Sequence, residues 1–200
     1  SLIFTSATNP GKTFTGDVLV NGVWNEQTFA ITPTFAGNFT NNATTWTAST
    51  GAHTFSGAAK VISGTTASVI PSVSISGTIT NSNTLTVATL LTVGGTLSND
   101  GTVTATTALS GAGGFTNNAA GVLNIGAASA ITTLTATAVG NTVNYTGVAQ
   151  TVKNTAYHHL GLSGSLAKTM TGITTVAGNF TMSGSATTTG MVLTTIGGNV

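Results

Sequence analysis

The chain has no cysteine and no arginine, and only seven of its 200 residues carry formal charge: Lys12, Lys60, Lys153 and Lys168 against Asp17, Glu26 and Asp100. Without cysteine, disulfide scaffolds and thiolate metal sites are excluded. A net charge of +1 leaves no basic stripe for phosphates, so nucleic acid is not an expected partner. Charge makes up 4% of the chain, where a globular domain carries about 25%. The surface must therefore be hydrated by the hydroxyls and amides of Thr, Ser and Asn, which suits a secreted or cell-surface protein.

Long apolar runs are missing too. Mean hydropathy is +0.36, yet no stretch approaches the ~18 apolar residues of a spanning helix. The aromatic girdles and roughly 10-residue alternation of a transmembrane barrel are also absent, so no membrane insertion is expected. The opening Ser1-Leu-Ile-Phe-Thr5 has neither a charged region nor a long apolar one. A secretion signal is thus expected to have been removed, or the chain to be part of something longer.

What is present is a ruler. Ile79, Leu85, Leu91, Leu97, Val103, Leu109 and Phe115 fall six residues apart, and Gly77-Thr-Ile-Thr-Asn81 returns as Gly95-Thr-Leu-Ser-Asn99 and Gly113-Gly-Phe-Thr-Asn117. Three apolar positions per 18-residue cycle describe a three-sided coil laid on another, a solenoid. Thr, Val, Ile, Ser, Asn and Gly are poor helix formers, and β-branched residues at alternate positions, as in Thr84-Leu-Thr-Val87 or Thr142-Val-Asn-Tyr145, suit pleated strands. Asn-Asn, Asn-Asp-Gly and Ser-Gly pieces between them make corners.

The expected fold is therefore all-β: a parallel β-solenoid of roughly ten coils, with 18 to 22 residues per coil, ~45 to 50 Å long at ~4.8 Å per coil. The step lengthens before residue 60, where Trp24 and Trp46 are 22 apart, and near the end, where Val176-Ala-Gly-Asn-Phe180 returns as Ile196-Gly-Gly-Asn-Val200. Such irregular corners favour right-handed over left-handed coiling. Phe55-Ser-Gly-Ala-Ala-Lys-Val-Ile62 echoes Tyr145-Thr-Gly-Val-Ala-Gln-Thr-Val152, which suggests a super-repeat over residues 37–126 and 127–200. Residues 1–35, with Pro10, Trp24 and Pro33, follow the repeat least and read as an atypical cap or contact segment, with 36–200 as the repeats.

Ala36-Gly-Asn-Phe-Thr-Asn-Asn42, Trp46-Thr-Ala-Ser-Thr-Gly51, His53-Thr-Phe-Ser-Gly57 and Val143-Asn-Tyr-Thr-Gly-Val-Ala-Gln-Thr-Val152 with Leu160-Gly-Leu-Ser-Gly164 resemble the large repetitive surface proteins of environmental bacteria, adhesin-like or filament-forming. That resemblance implies a β-solenoid, secretion and a surface or filament role. It brings no catalytic or binding residue with it.

Chemistry has little to work with. Hydrolysis of a glycosidic bond needs two carboxylates about 5 to 10 Å apart, whereas Asp17 and Asp100 are expected on the order of 20 Å apart at the coil rise. No enzymatic activity is expected. His158-His159 are neighbours on a strand and could share a metal only at a turn; His53 is expected on another coil without a carboxylate beside it. No metal site and no cofactor are expected. Asn81, Asn99 and Asn117 recur at one corner, where stacked amides form a hydrogen-bonded ladder. Trp24 and Trp46 are read as a stack in the core or over one end, with a sugar platform as the alternative.

The functional expectation is a non-catalytic structural protein of the cell exterior, an adhesin stalk or filament subunit. Phe4, Phe14 and Trp24 would anchor a head-to-tail contact with Ile196 and Val200 of another copy, unless further repeats of the same chain follow. A carbohydrate-binding or carbohydrate-active module with surface glycans as partners is the alternative. Ice binding by Thr84, Thr86, Thr102 and Thr104 is a lesser one. Asn38, Asn42, Asn144 and Asn179 stand in sequons for glycosylation.

Overall fold

The computed structural model describes residues 2–4 and 11–200 of the chain. They form an all-β solenoid of parallel strands, with no helix, about nine turns of about 20 residues each. Each turn carries three strand segments, and each segment pairs with its counterpart one turn away. Thr78–Asn81 pairs in register with Thr96–Asn99, which pairs with the second half of Ala108–Asn117.

Alternation explains the packing. In Thr78–Asn81 the pattern is exposed, buried, half-buried, buried, so Ile79 and Asn81 point inward while Thr78 and Thr80 face water. The inward residues stack into columns. Ile79, Leu97, Phe115 and Leu134 form one; Leu85, Val103, Leu123, Val143, Leu160 and Phe180 a second; Val73, Leu91 and Leu109 a third. All seven residues of the six-residue ruler are at most 1% exposed. Burying a side chain of this size stabilises the fold by about 1.5–3 kcal/mol.

The recurring Gly77, Gly95 and Gly113 have a steric cause. A Cβ on Gly95 would lie 2.1 Å from the Gly77 carbonyl oxygen, and one on Gly113 would lie 1.9 Å from that of Gly95. Only glycine lets consecutive corners approach to this distance.

Residues 11–35 belong to the same stack: Gly11–Phe14 pairs in parallel with Thr32–Phe35, Val18–Val20 with Phe39–Asn41, and Val23–Asn25 with Thr45–Thr47. Ser1 and residues 5–10, with Pro10, lie outside the described residues.

Candidate functional site

Five of the twelve titratable side chains sit inside the solenoid: Glu26, His53, Tyr145, Tyr157 and Lys168. Glu26 follows the strand Val23–Asn25 and His53 lies on Ala52–Phe55; both are 0% exposed and 2.9 Å apart. The expectation that His53 has no carboxylate beside it is corrected here. Glu26 Oε1 faces His53 Nε2 and also accepts from Trp24 Nε1–H at 2.9 Å, while Oε2 accepts from the Ser49 N–H at 2.7 Å. His53 Nδ1 lies 3.0 Å from the Gly51 carbonyl oxygen. Both ring nitrogens therefore face oxygen atoms, one of the Glu26 carboxylate and one of the backbone. Burial pushes the Glu26 carboxyl up, but the hydrogen bond and charge of His53 and the bond from Ser49 outweigh it and hold it below the usual glutamate range.

The asparagines of the repeated corner form a buried ladder. Asn81 Nδ2 donates to Asn99 Oδ1 at 2.9 Å, and Asn99 Nδ2 to Asn117 Oδ1 at 2.8 Å, with all three residues 0% exposed. The ladder ends on backbone at Gly121 and Thr142 and begins at Asn81 Oδ1, which has no partner.

Further along, Lys168 is fully buried without a counter-ion. Its Nζ donates to the carbonyl oxygens of Gly147 at 2.6 Å and Val148 at 2.5 Å and to Gln150 Oε1 at 2.8 Å, so all its protons are taken by the preceding turn. Desolvation pushes its ammonium below the usual lysine range. Beside it the Lys153 N–H donates to Tyr145 Oη at 2.9 Å, and Tyr157 Oη–H donates to the Lys153 carbonyl at 2.6 Å. The hydroxyls are 3.1 Å apart, which leaves Tyr145 as donor to Tyr157. Burial raises both phenols.

The two surface acids also link adjacent turns. Asp17 accepts from Asn38 N–H at 2.8 Å and Nδ2–H at 3.0 Å, and Asp100 accepts from Asn118 Nδ2–H at 2.6 Å. The bonds from Asn38 hold Asp17 below the usual aspartate range.

Residues considered for contact with another copy are divided between core and surface. Phe4 and Trp24 are 8% and 2% exposed, and Trp24 stacks on Trp46 at 5.4 Å. Phe14 is half-buried and stacks on Phe35 at 5.4 Å. Ile196 pairs with Val176 and is half-buried, whereas Val200 is 88% exposed. Of the sequon amides, Asn38 Nδ2 is bonded to Asp17, Asn42 Nδ2 to Asn21 and Asn144 Nδ2 to Asn124; Asn179 Oδ1 accepts the Asn199 N–H.

On the surface, the rows of Thr84 and Thr86 run through Thr102 and Thr104 to Val122 and Asn124. A longer row lies on another side: Thr13, Thr34, Thr54, Ser74, Thr92 and Ser110 are consecutive register partners, six hydroxyls without a break. Steps of 21, 20, 20, 18 and 18 residues hide this row from any fixed-period reading.

No protein-family model, no curated protein and no solved structure matches the chain.

Proposed function

We propose that the protein is a non-catalytic structural module of the cell exterior, an adhesin stalk or the subunit of an extracellular filament. The observation that carries this reading is the use of the acids. The chain has three, and each bonds to the next turn: Asp17 to Asn38, Glu26 to Ser49 and His53, Asp100 to Asn118. Carboxylates placed in this way hold turns together and have no pair facing a cleft across which a glycosidic bond would be cut. The near absence of charge and the resemblance to repetitive surface proteins support an extracellular place. Self-association head to tail, or continuation into further repeats, supplies the partner.

A second reading, a carbohydrate-binding module, draws on the unbroken hydroxyl row from Thr13 to Ser110. Incubation with a panel of soluble and insoluble polysaccharides separates the two. The structural reading expects neither turnover nor retention. Turnover overturns it, and retention that is lost in Thr34→Val, Thr54→Val, Thr92→Val moves the assignment to the binding module. Electron microscopy tests the filament: fibres support a subunit, and monodisperse particles restrict the reading to a stalk segment.

A further inference from the structure

His158 and His159 stand where a corner opens into the strand His159–Leu162, and their rings meet edge to face with centroids 4.2 Å apart. Each ring is tied to a different neighbouring turn. The Gly140 N–H of the preceding turn donates to His158 Nδ1 at 3.2 Å, and the Asn179 N–H of the following turn donates to His159 Nδ1 at 2.8 Å. A ring nitrogen that accepts an N–H bond carries no proton, so each neutral imidazole is the Nε2–H tautomer. A metal at Nε2 would drive the proton to Nδ1, against a backbone donor, so the geometry disfavours a shared metal even though the pair does sit at a turn.

The corner has no slack. A Cβ on Gly178 would lie 2.5 Å from His159 Nδ1 and 3.0 Å from His158 Cε1, so the next turn packs directly on both rings. No carboxylate is near to stabilise a cation. The chain's acids are residues 17, 26 and 100, all on earlier turns. The strands packed on either side, Thr142–Tyr145 and Phe180–Met182, bring only the buried Tyr145 as a titratable group, and the segments 138–141 and 177–179 bring none. On the same turn Tyr157 is buried, and Lys153 and Lys168 add only positive charge.

We propose that the His158–His159 corner is an acid-sensitive joint between turns, in which a proton on His159 Nδ1 turns an acceptor into a donor, breaks the bond from Asn179, and sets a cation against the His158 ring. Burial, then the charge of His158, holds His159 below its ordinary value of 6.5. A depressed value means that the unfolded chain takes up the proton first. The joint is intact above pH 6.5 and is lost as pH falls through the lower value of the folded state. The Gly178 N–H to His158 carbonyl bond at 2.7 Å involves no titrating atom, so the joint loosens without severing the stack.

The test is amide exchange of Asn179, followed by NMR in the full chain at about pH 7.5 and about pH 5, either side of the histidine range. Protection relative to Thr96 and Leu97 is expected to fall on acidification. In His158→Asn, His159→Asn the Asn Oδ1 takes the place of Nδ1 as acceptor but does not titrate, so protection should persist at the lower pH. Unchanged protection in the wild type, or an equal loss in the variant, overturns the proposal. If the variant fails to fold, imidazole ¹⁵N shifts of the wild type decide it: Nε2–H tautomers for both rings at neutral pH support the joint, and an Nδ1–H tautomer refutes it.

Discussion

The turns within residues 11–55 and those within 78–117 solve the same packing problem with different interiors. In the first, successive strands are 20 to 22 residues apart, and the interior is aromatic: Phe35 touches Phe14, Trp24, Phe39 and Phe55 with ring centroids 4.8–6.0 Å away. In the second, the step is 18 and the interior is mostly Ile, Leu and Val, with Phe115 as the one ring and the Asn81–Asn99–Asn117 ladder beside it. The longer turns of residues 11–55 fill their interior with rings packed on one another. They also hide the Glu26–His53 hydrogen bond. Shorter turns hold one buried amide per cycle, and amides at equal spacing bond to one another and to the backbone carbonyls of the corner.

The sharpest way to break the wide turns is Glu26→Ala. It leaves His53 buried without its carboxylate and orphans Trp24 Nε1–H, with an expected loss of about 3–5 kcal/mol in urea unfolding. Both tryptophans, Trp24 and Trp46, lie in these turns, so their fluorescence reports this region alone. Because Glu26 is held below its ordinary value of 4.5, its contribution is present above that pH and lost as pH falls through the lower folded value. The fluorescence transition of the wild type should therefore move to lower urea on acidification.

Phe35→Ala removes the ring at the centre of the cluster and should cost about 3–5 kcal/mol, against about 2–4 kcal/mol for Leu97→Ala in the narrow turns. Equal costs would mean that the aromatic and the aliphatic interiors are equally sensitive to truncation. Asn99→Ala, measured by thermal or urea unfolding, cuts the ladder in the middle and leaves Asn117 Oδ1 without a donor, for about 1–3 kcal/mol. Thr54→Val on the outer hydroxyl row should stay within about 0.5 kcal/mol, since nothing buried changes.

The narrow turns were legible in the sequence and the wide ones only in outline. Where the step is constant, as from Ile79 to Phe115, period and register are the same information, and the coil, its inward side and the asparagine column follow directly. Where corners vary, register is lost although the strands are not. Glu26 and His53 are 27 residues apart, a spacing that matches no repeat, because one follows a strand and the other lies within a strand of a different side. The same holds for Lys168: a lone lysine in the strand Ser165–Thr169 looks like a solvated group until the Gly147 and Val148 carbonyls are known to face it. Its burial has no signature in the composition of Ser165–Thr169.

The claim that connects both regions is that interior polar side chains bond one turn to the next. Exchange of the Asn99 side-chain amide protons tests it most directly, with those of Asn154, an exposed asparagine, as the reference. The account predicts that the Asn99 Nδ2 protons, held by Asn117 Oδ1 and the Val122 carbonyl, exchange only as slowly as the surrounding strand amides of Leu97 and Ser98. Exchange of Asn99 as fast as that of Asn154 would contradict it.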